Sequence, residues 1–154
     1  MNPRLLLSSK YFSASVILTG ILSLLLLVSA CKKDDVEVQL INNWQLKQIE
    51  KRNVQTPVLI DAPEELPIHV LFDPFGKVTI DSWCNSGSAV YIERGNSLEI
   101  NELTWTEINC PNNEPIDWEA VFLYNFGLTQ YYLIEGETLI ILTEGEYNLH
   151  FSKL

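Results

Sequence analysis

Beyond position 43, apolar and polar residues alternate along much of the chain, and a period of two predicts strands. Trp44, Leu46 and Ile49 set an imperfect alternation over 44–51. Ile68, Val70 and Phe72 alternate cleanly, Asp73-Pro74-Phe75-Gly76 reads as a tight turn, and Val78 and Ile80 form the second arm of a hairpin. Residues 89–93 predict another strand, closed by a Gly95-Asn96 turn. Over 97–108 the parity changes, with Leu98 and Ile100 in one phase and Leu103 and Trp105 in the other. A bulge near Asn101-Glu102 returns both pairs to one inward face and bends the strand. Over 117–126 the period lengthens, because Trp118, Val121, Phe122 and Phe126 recur three or four apart on one helical face. Asp117 is the expected N-cap, and Gly127 the expected left-handed residue past the last turn. Strands follow at 131–135, 138–143 and 147–153, separated by turns at Gly136 and Gly145. The Leu139-Ile140-Ile141-Leu142 run is apolar on both faces, which predicts a central strand with the helix over one side. Residues 56–67, with Pro57, Pro63 and Pro67, read as the longest irregular segment. The expected fold class is mainly antiparallel β, a small barrel or strongly coiled sheet in meander order, with one late α-helix.

The start of the chain has another pattern. Arg4 and Lys10 precede an apolar run over 16–30, and no acid occurs before Asp34. The run ends Leu27-Val28-Ser29-Ala30 directly before Cys31, which resembles the lipobox of bacterial lipoprotein signal peptides. A transmembrane helix needs about 20 apolar residues, and this run is shorter and contains Gly20 and Ser23. The expected organisation is a signal peptide over 1–30, a lipidated Cys31 with a polar tether over 31–42, and a β domain over 43–154. Lys32-Lys33-Asp34-Asp35 keeps the tether solvated, with a surface-export signal as the second reading. Each buried acyl CH₂ contributes roughly 0.8 kcal/mol, so a multiply acylated Cys31 anchors the domain without spanning.

Cutting 30 residues from 154 leaves 124, enough for one domain. Two of the ten basic residues leave with the leader and all twenty acids stay, so the remainder carries −12. Such a chain repels phosphate backbones, which excludes nucleic acid as an expected partner. Cys84 and Cys110 remain in the folded part. Outside the cytoplasm a lone pair is usually oxidised, and a bridge closing about 25 residues contributes roughly 3–4 kcal/mol. A metal site lacks partners, because His69 and His150 are far apart in sequence, and a reactive thiol needs a nearby base. The structural disulfide is the favoured reading of the three.

Five segments in order resemble the META-domain, or HslJ-like, family. They are Trp44-Gln45-Leu46, then Cys84-Asn85 leading to Tyr91, and then Thr106 four residues before Cys110. An acidic, aromatic helix with Glu119, Phe122 and Leu123 follows, and Tyr132, Gly136 and Leu139 lead into a closing hairpin from Gly145 to Phe151. Trp83 stands where the family usually has Gly before Cys, and Ala89 replaces a second Gly. The resemblance implies a non-enzymatic domain often carried by envelope lipoproteins and linked loosely to envelope stress and secretion.

No nucleophile elbow, phosphate loop or zinc spacing occurs, so no enzyme, cofactor or metal is expected. Glu64-Glu65 and Asp34-Asp35 fall in expected loops, and His69 and His150 alternate with apolar neighbours as outward residues. Trp83 and Tyr131 differ in phase from their apolar neighbours and are the expected contact residues. Asn85 is read first as a turn residue and second as a ligand contact. The leading expectation is a monomeric envelope lipoprotein in the outer membrane, periplasmic or surface-facing, anchored by lipid and touching an envelope protein. A lipocalin-like carrier of a small apolar ligand needs an empty interior. An inhibitor of a cationic enzyme such as lysozyme needs an acidic face.

Overall fold

In the computed structural model, residues 40–109 and 117–154 are described. Cys31, Cys110, the expected leader and most of the expected tether lie outside the described residues. The elements run β1 (Asn43–Lys51), β2 (Val58–Asp61), β3 (Ile68–Phe72), β4 (Lys77–Ser82), β5 (Ser86–Arg94) and β6 (Ser97–Trp105). After them come α1 (Trp118–Phe126), β7 (Thr129–Glu135), β8 (Thr138–Thr143) and β9 (Tyr147–Lys153). Strands β1, β3, β4, β5, β6, β7, β8 and β9 pair antiparallel in that order, and β9 returns to β1. The sheet closes as an eight-strand barrel with one late helix.

Both irregular alternations in the sequence are bulges. In β1, Leu46 faces Phe151 and Gln48 faces His150, so Lys47 is extra and Ile49 regains the inward phase. In β6, Ser88 pairs with Thr104 and Val90 with Asn101, so Ala89 alone faces Glu102 and Leu103. Glu102 takes the left-handed conformation at φ 53°, where a side chain is strained. The bulge is where the change of parity places it.

The inward residues fill the barrel. Trp44, Ile68, Val70, Phe72, Val78, Ile80, Leu98, Tyr132, Leu139, Ile141, Leu149 and Phe151 are all buried. Packing begins at Leu40, which is fully buried and whose carbonyl accepts from the Trp44 indole at 2.9 Å. Helix α1 closes one end. Phe122 and Phe126 stack at 5.0 Å, Phe126 meets Phe72 at 6.4 Å, and Phe122 meets Phe151 edge-on at 6.4 Å. The helix therefore inserts into the interior, so the one side of β8 that it covers is the inner side. Strand β8 still sits between β7 and β9, but Ile140 and Leu142 look outward.

Three local expectations change. Residues 56–67 contain β2, which pairs with the second half of β1 from Gln48↔Asp61 to Lys51↔Val58 while β3 takes Asn43 to Gln45. Its four residues are too short to show a period, and flanking prolines mask it. Strand β6 stops at Trp105 instead of continuing to 108. Gly127 is right-handed, at φ −66°. The last carbonyls are satisfied differently, by Leu128 N–H to Asn125 and by the Thr129 hydroxyl to Phe126 at 2.6 Å. The β6–β7 seam is thin, with the single pair Ser97↔Tyr131.

Candidate functional site

The densest polar cluster among the described residues centres on Asn85, in the turn between β4 and β5. Ser82 and Asn85 close the turn, with Ser82 N–H to the Asn85 carbonyl at 2.9 Å and Asn85 N–H to Ser82 Oγ at 3.0 Å. Asn85 is itself buried. Its Oδ1 accepts from Ile108 N–H and from the Thr106 hydroxyl, both at 2.8 Å. Its Nδ2 donates to Ile108 O at 3.1 Å and to Glu119 Oε2 at 2.7 Å. The two bonds to the Ile108 backbone fix which end of the amide is oxygen. They also copy the pairing of an antiparallel strand just where β6 has ended. Glu119 Oε1 accepts from Asn85 N–H at 3.2 Å and from the Ser82 hydroxyl. One side chain thus ties a turn, the segment leaving β6 and the first turn of α1.

Every polar atom of the Asn85 side chain is engaged, so no donor or acceptor is left for a ligand. The first reading of Asn85, as a turn residue, fits its place between β4 and β5, but its bonds to Ile108 and Glu119 reach beyond the turn. Cys84 lies at the rim, with Sγ 3.5 Å from the Ile108 carbonyl oxygen and 3.4 Å from Asn85 Nδ2. Its expected partner Cys110 lies outside the described residues. Trp83 is half-buried, and its indole N–H is buried with no acceptor among the described residues. Tyr131 is 52% exposed. It sits opposite Ser97, beside the far end of β5 from Asn85, so the three expected contact residues do not form one surface.

Two clefts are lined by described residues. One of about 310 Å³ follows the β1 bulge, between Gln45–Gln48 and Asp61–Glu64. The other, of about 270 Å³, lies between Ser86–Ser88 and Thr104–Thr106, where Trp105 packs over Gly87. Gly87 is required there, because a Cβ would stand 2.4 Å from the Thr104 carbonyl and from the Trp105 ring. Neither cleft holds a nucleophile beside a base. Among the described residues no group of three His, Cys, Asp or Glu is placed to hold a metal, and no helix is long and apolar enough to cross a membrane.

His69 and His150 point outward but are half-buried. His150 Nε2 lies 3.1 Å from Glu50 Oε2, and Asn148 Nδ2 lies 3.3 Å from the same oxygen. The hydrogen bond from His150 holds the Glu50 carboxyl below its ordinary pKa, against the opposing effect of burial. This outer-wall pair escapes a reading of the sequence, because only the β1–β9 closure brings positions 50 and 150 together.

A family model described as META domain matches residues 38–154. The chain belongs to the META domain family. Two solved structures share the fold. The NMR structure of a protein from Burkholderia xenovorans has 16% identity and a TM-score of 0.60, covering 75% of this chain and 85% of that one. The crystal structure of a DUF4847 family protein from Bacteroides vulgatus has 11% identity and a TM-score of 0.54, covering 75% and 94%. At these identities the likeness is one of fold. No curated protein matches the sequence. In this META domain three separate motif pieces, Cys84-Asn85, Thr106 and Glu119, meet at one node. Nothing in their spacing shows that. Glu119 stands 34 positions from Asn85, and only the fold reveals the contact.

Proposed function

We propose that this META-domain protein is a lipid-anchored component of the bacterial envelope that works through contact with another envelope protein and not as a catalyst. The anchoring rests on Cys31 after its lipobox-like segment. The contact reading is carried by one observation, the filled interior. Trp44, Phe72, Phe122, Phe126, Tyr132 and Phe151 occupy the space in which a carrier would hold its ligand. Small-ligand sites are usually concave pockets of about 300–1,000 Å³ with convergent polar groups. Here the polar groups converge on each other, at Asn85. That weighs against the lipocalin-like alternative. A Cys84–Cys110 disulfide belongs to the proposal, and Ile108, two residues short of Cys110, already lies against Cys84 Sγ.

The deciding experiment is metabolic labelling with an alkyne-tagged fatty acid in a bacterial host, followed by intact mass and membrane fractionation. The wild type should carry label, begin at Cys31 and fractionate with membranes. Cys31→Ala should lose the label and change fraction. An unlabelled wild-type product that still begins at Met1 would end the anchored reading. Crosslinking in intact envelopes, with lysozyme inhibition measured on the same protein, separates a structural contact from the inhibitor alternative.

A further inference from the structure

We infer that the outer face of the β7–β8 hairpin is the contact surface, and that its partner is a protein segment with an apolar centre and basic flanks. The inference rests on the contact reading above. Two cross-strand pairs, Tyr131↔Leu142 and Leu133↔Ile140, point away from the barrel on adjacent strands. Tyr131 is 52% and Leu133 40% exposed, while Ile140 and Leu142 are half-buried beside them. A strand apolar on both faces is normally covered on both. Helix α1 occupies the interior, so among the described residues nothing is seen to pack over this outer face.

Charge selects the occupant. Glu99 on β6, Glu135 at the end of β7, Glu137 in the hairpin turn and Glu144 past β8 are all exposed around the four apolar side chains. Arg94, 3.8 Å from Glu99, offsets one of them. A second copy of this chain in a two-fold contact would set these acids against each other. An anionic bilayer surface is repelled in the same way. A partner with apolar residues for the centre and Lys or Arg for the rim satisfies both parts of the surface, in the usual arrangement of apolar core and polar rim.

The test titrates the full-length protein in detergent with a synthetic peptide of four central apolar residues flanked by lysines. Binding is read by fluorescence anisotropy and by amide shifts. Saturable binding should shift β7 and β8 amides and weaken at least tenfold in Tyr131→Ser/Leu133→Ser. Glu135→Lys/Glu137→Lys should weaken it similarly, and Leu71→Ser, an exposed apolar site on β3, should leave it unchanged. The inference is overturned if the double-serine variant binds as well as wild type, or if a glutamate-flanked peptide binds equally. It is also overturned if sedimentation shows self-association that Leu133→Ser abolishes, which would make a second copy the occupant. These results are separable from the anchored reading, because lipid on Cys31 is scored by mass in the same preparation.

Discussion

Replacing Asn85 should unlock the domain, and two substitutions separate the causes. Asn85→Ala removes five side-chain hydrogen bonds, two to the Ile108 backbone and one each to Thr106, the Glu119 carboxylate and, weakly, Cys84 Sγ. A neutral bond contributes about 1 kcal/mol net and a charged one about 1.5–3, and partners left buried add to the loss. Water entering at the half-exposed Cys84 side relieves part of it, so the total is roughly 3–5 kcal/mol. Asn85→Asp keeps the shape but sets a second carboxyl at the position 2.7 Å from Glu119 Oε2. Like charges at that distance raise the pKa of the introduced acid above its unfolded value of about 3.9. Its penalty is therefore absent below that value, grows as pH rises through it and is full above the folded pKa. Urea unfolding followed by tryptophan fluorescence suits both variants, since Trp83, Trp105 and Trp118 surround the node. The variant Asn85→Asp should match or exceed the alanine loss at pH 7 and recover a clear part of it near pH 4. The reasoning fails if alanine costs less than about 1 kcal/mol, a single neutral bond, or if the aspartate deficit is the same at both pH values.

Other expectations follow from single residues. Glu102→Gly should raise stability by roughly 0.5–1 kcal/mol in thermal unfolding, because glycine tolerates the left-handed bulge position without strain. Gly87→Ala should destabilise, with loss of near-ultraviolet circular dichroism, because its Cβ meets the Thr104 carbonyl backbone at 2.4 Å. The Glu50 contribution should be present above the unfolded pKa and fade as pH falls through the lowered folded one. Glu50→Gln should thus trail wild type by up to about 1 kcal/mol at pH 6 and draw level near pH 3 in paired urea melts. Cys84→Ser should cost a few kcal/mol, by the roughly 3–4 kcal/mol loop estimate, and free thiols in the purified wild type would refute that.

The regular strands were legible because one face is core and the other solvent, so the alternation survives in the letters. Of the three bulges, those in β1 and β6 left breaks in phase at Leu46–Ile49 and at Ile100–Leu103, while the one that leaves Gln130 extra in β7 was not legible. Strand β2 was not, because four residues between prolines carry no measurable period. The handedness at Gly127 was hidden for another reason. Glycine permits the left-handed cap but does not compel it, and the Thr129 hydroxyl supplies a different ending. At the node, Asn85 was legible as a turn residue, while Glu119 and Ile108 were not legible as its partners. Those contacts depend on how far β6 runs and where α1 begins, and both are set by packing. Which face of β8 the helix covers was not legible, because a single sequence does not say which side of a wall the helix takes.

The pairing of β1 with β9 has a consequence for how the chain is made. The first strand waits for the last, so no N-terminal fragment can complete the ring before Tyr147–Lys153 has emerged. Until then Trp44, Leu46 and Ile49 lack their β9 neighbours on one side, and the growing polypeptide stays threadable. A nick or early stop that removes only those seven residues leaves the whole wall unhemmed, not merely one strand shorter.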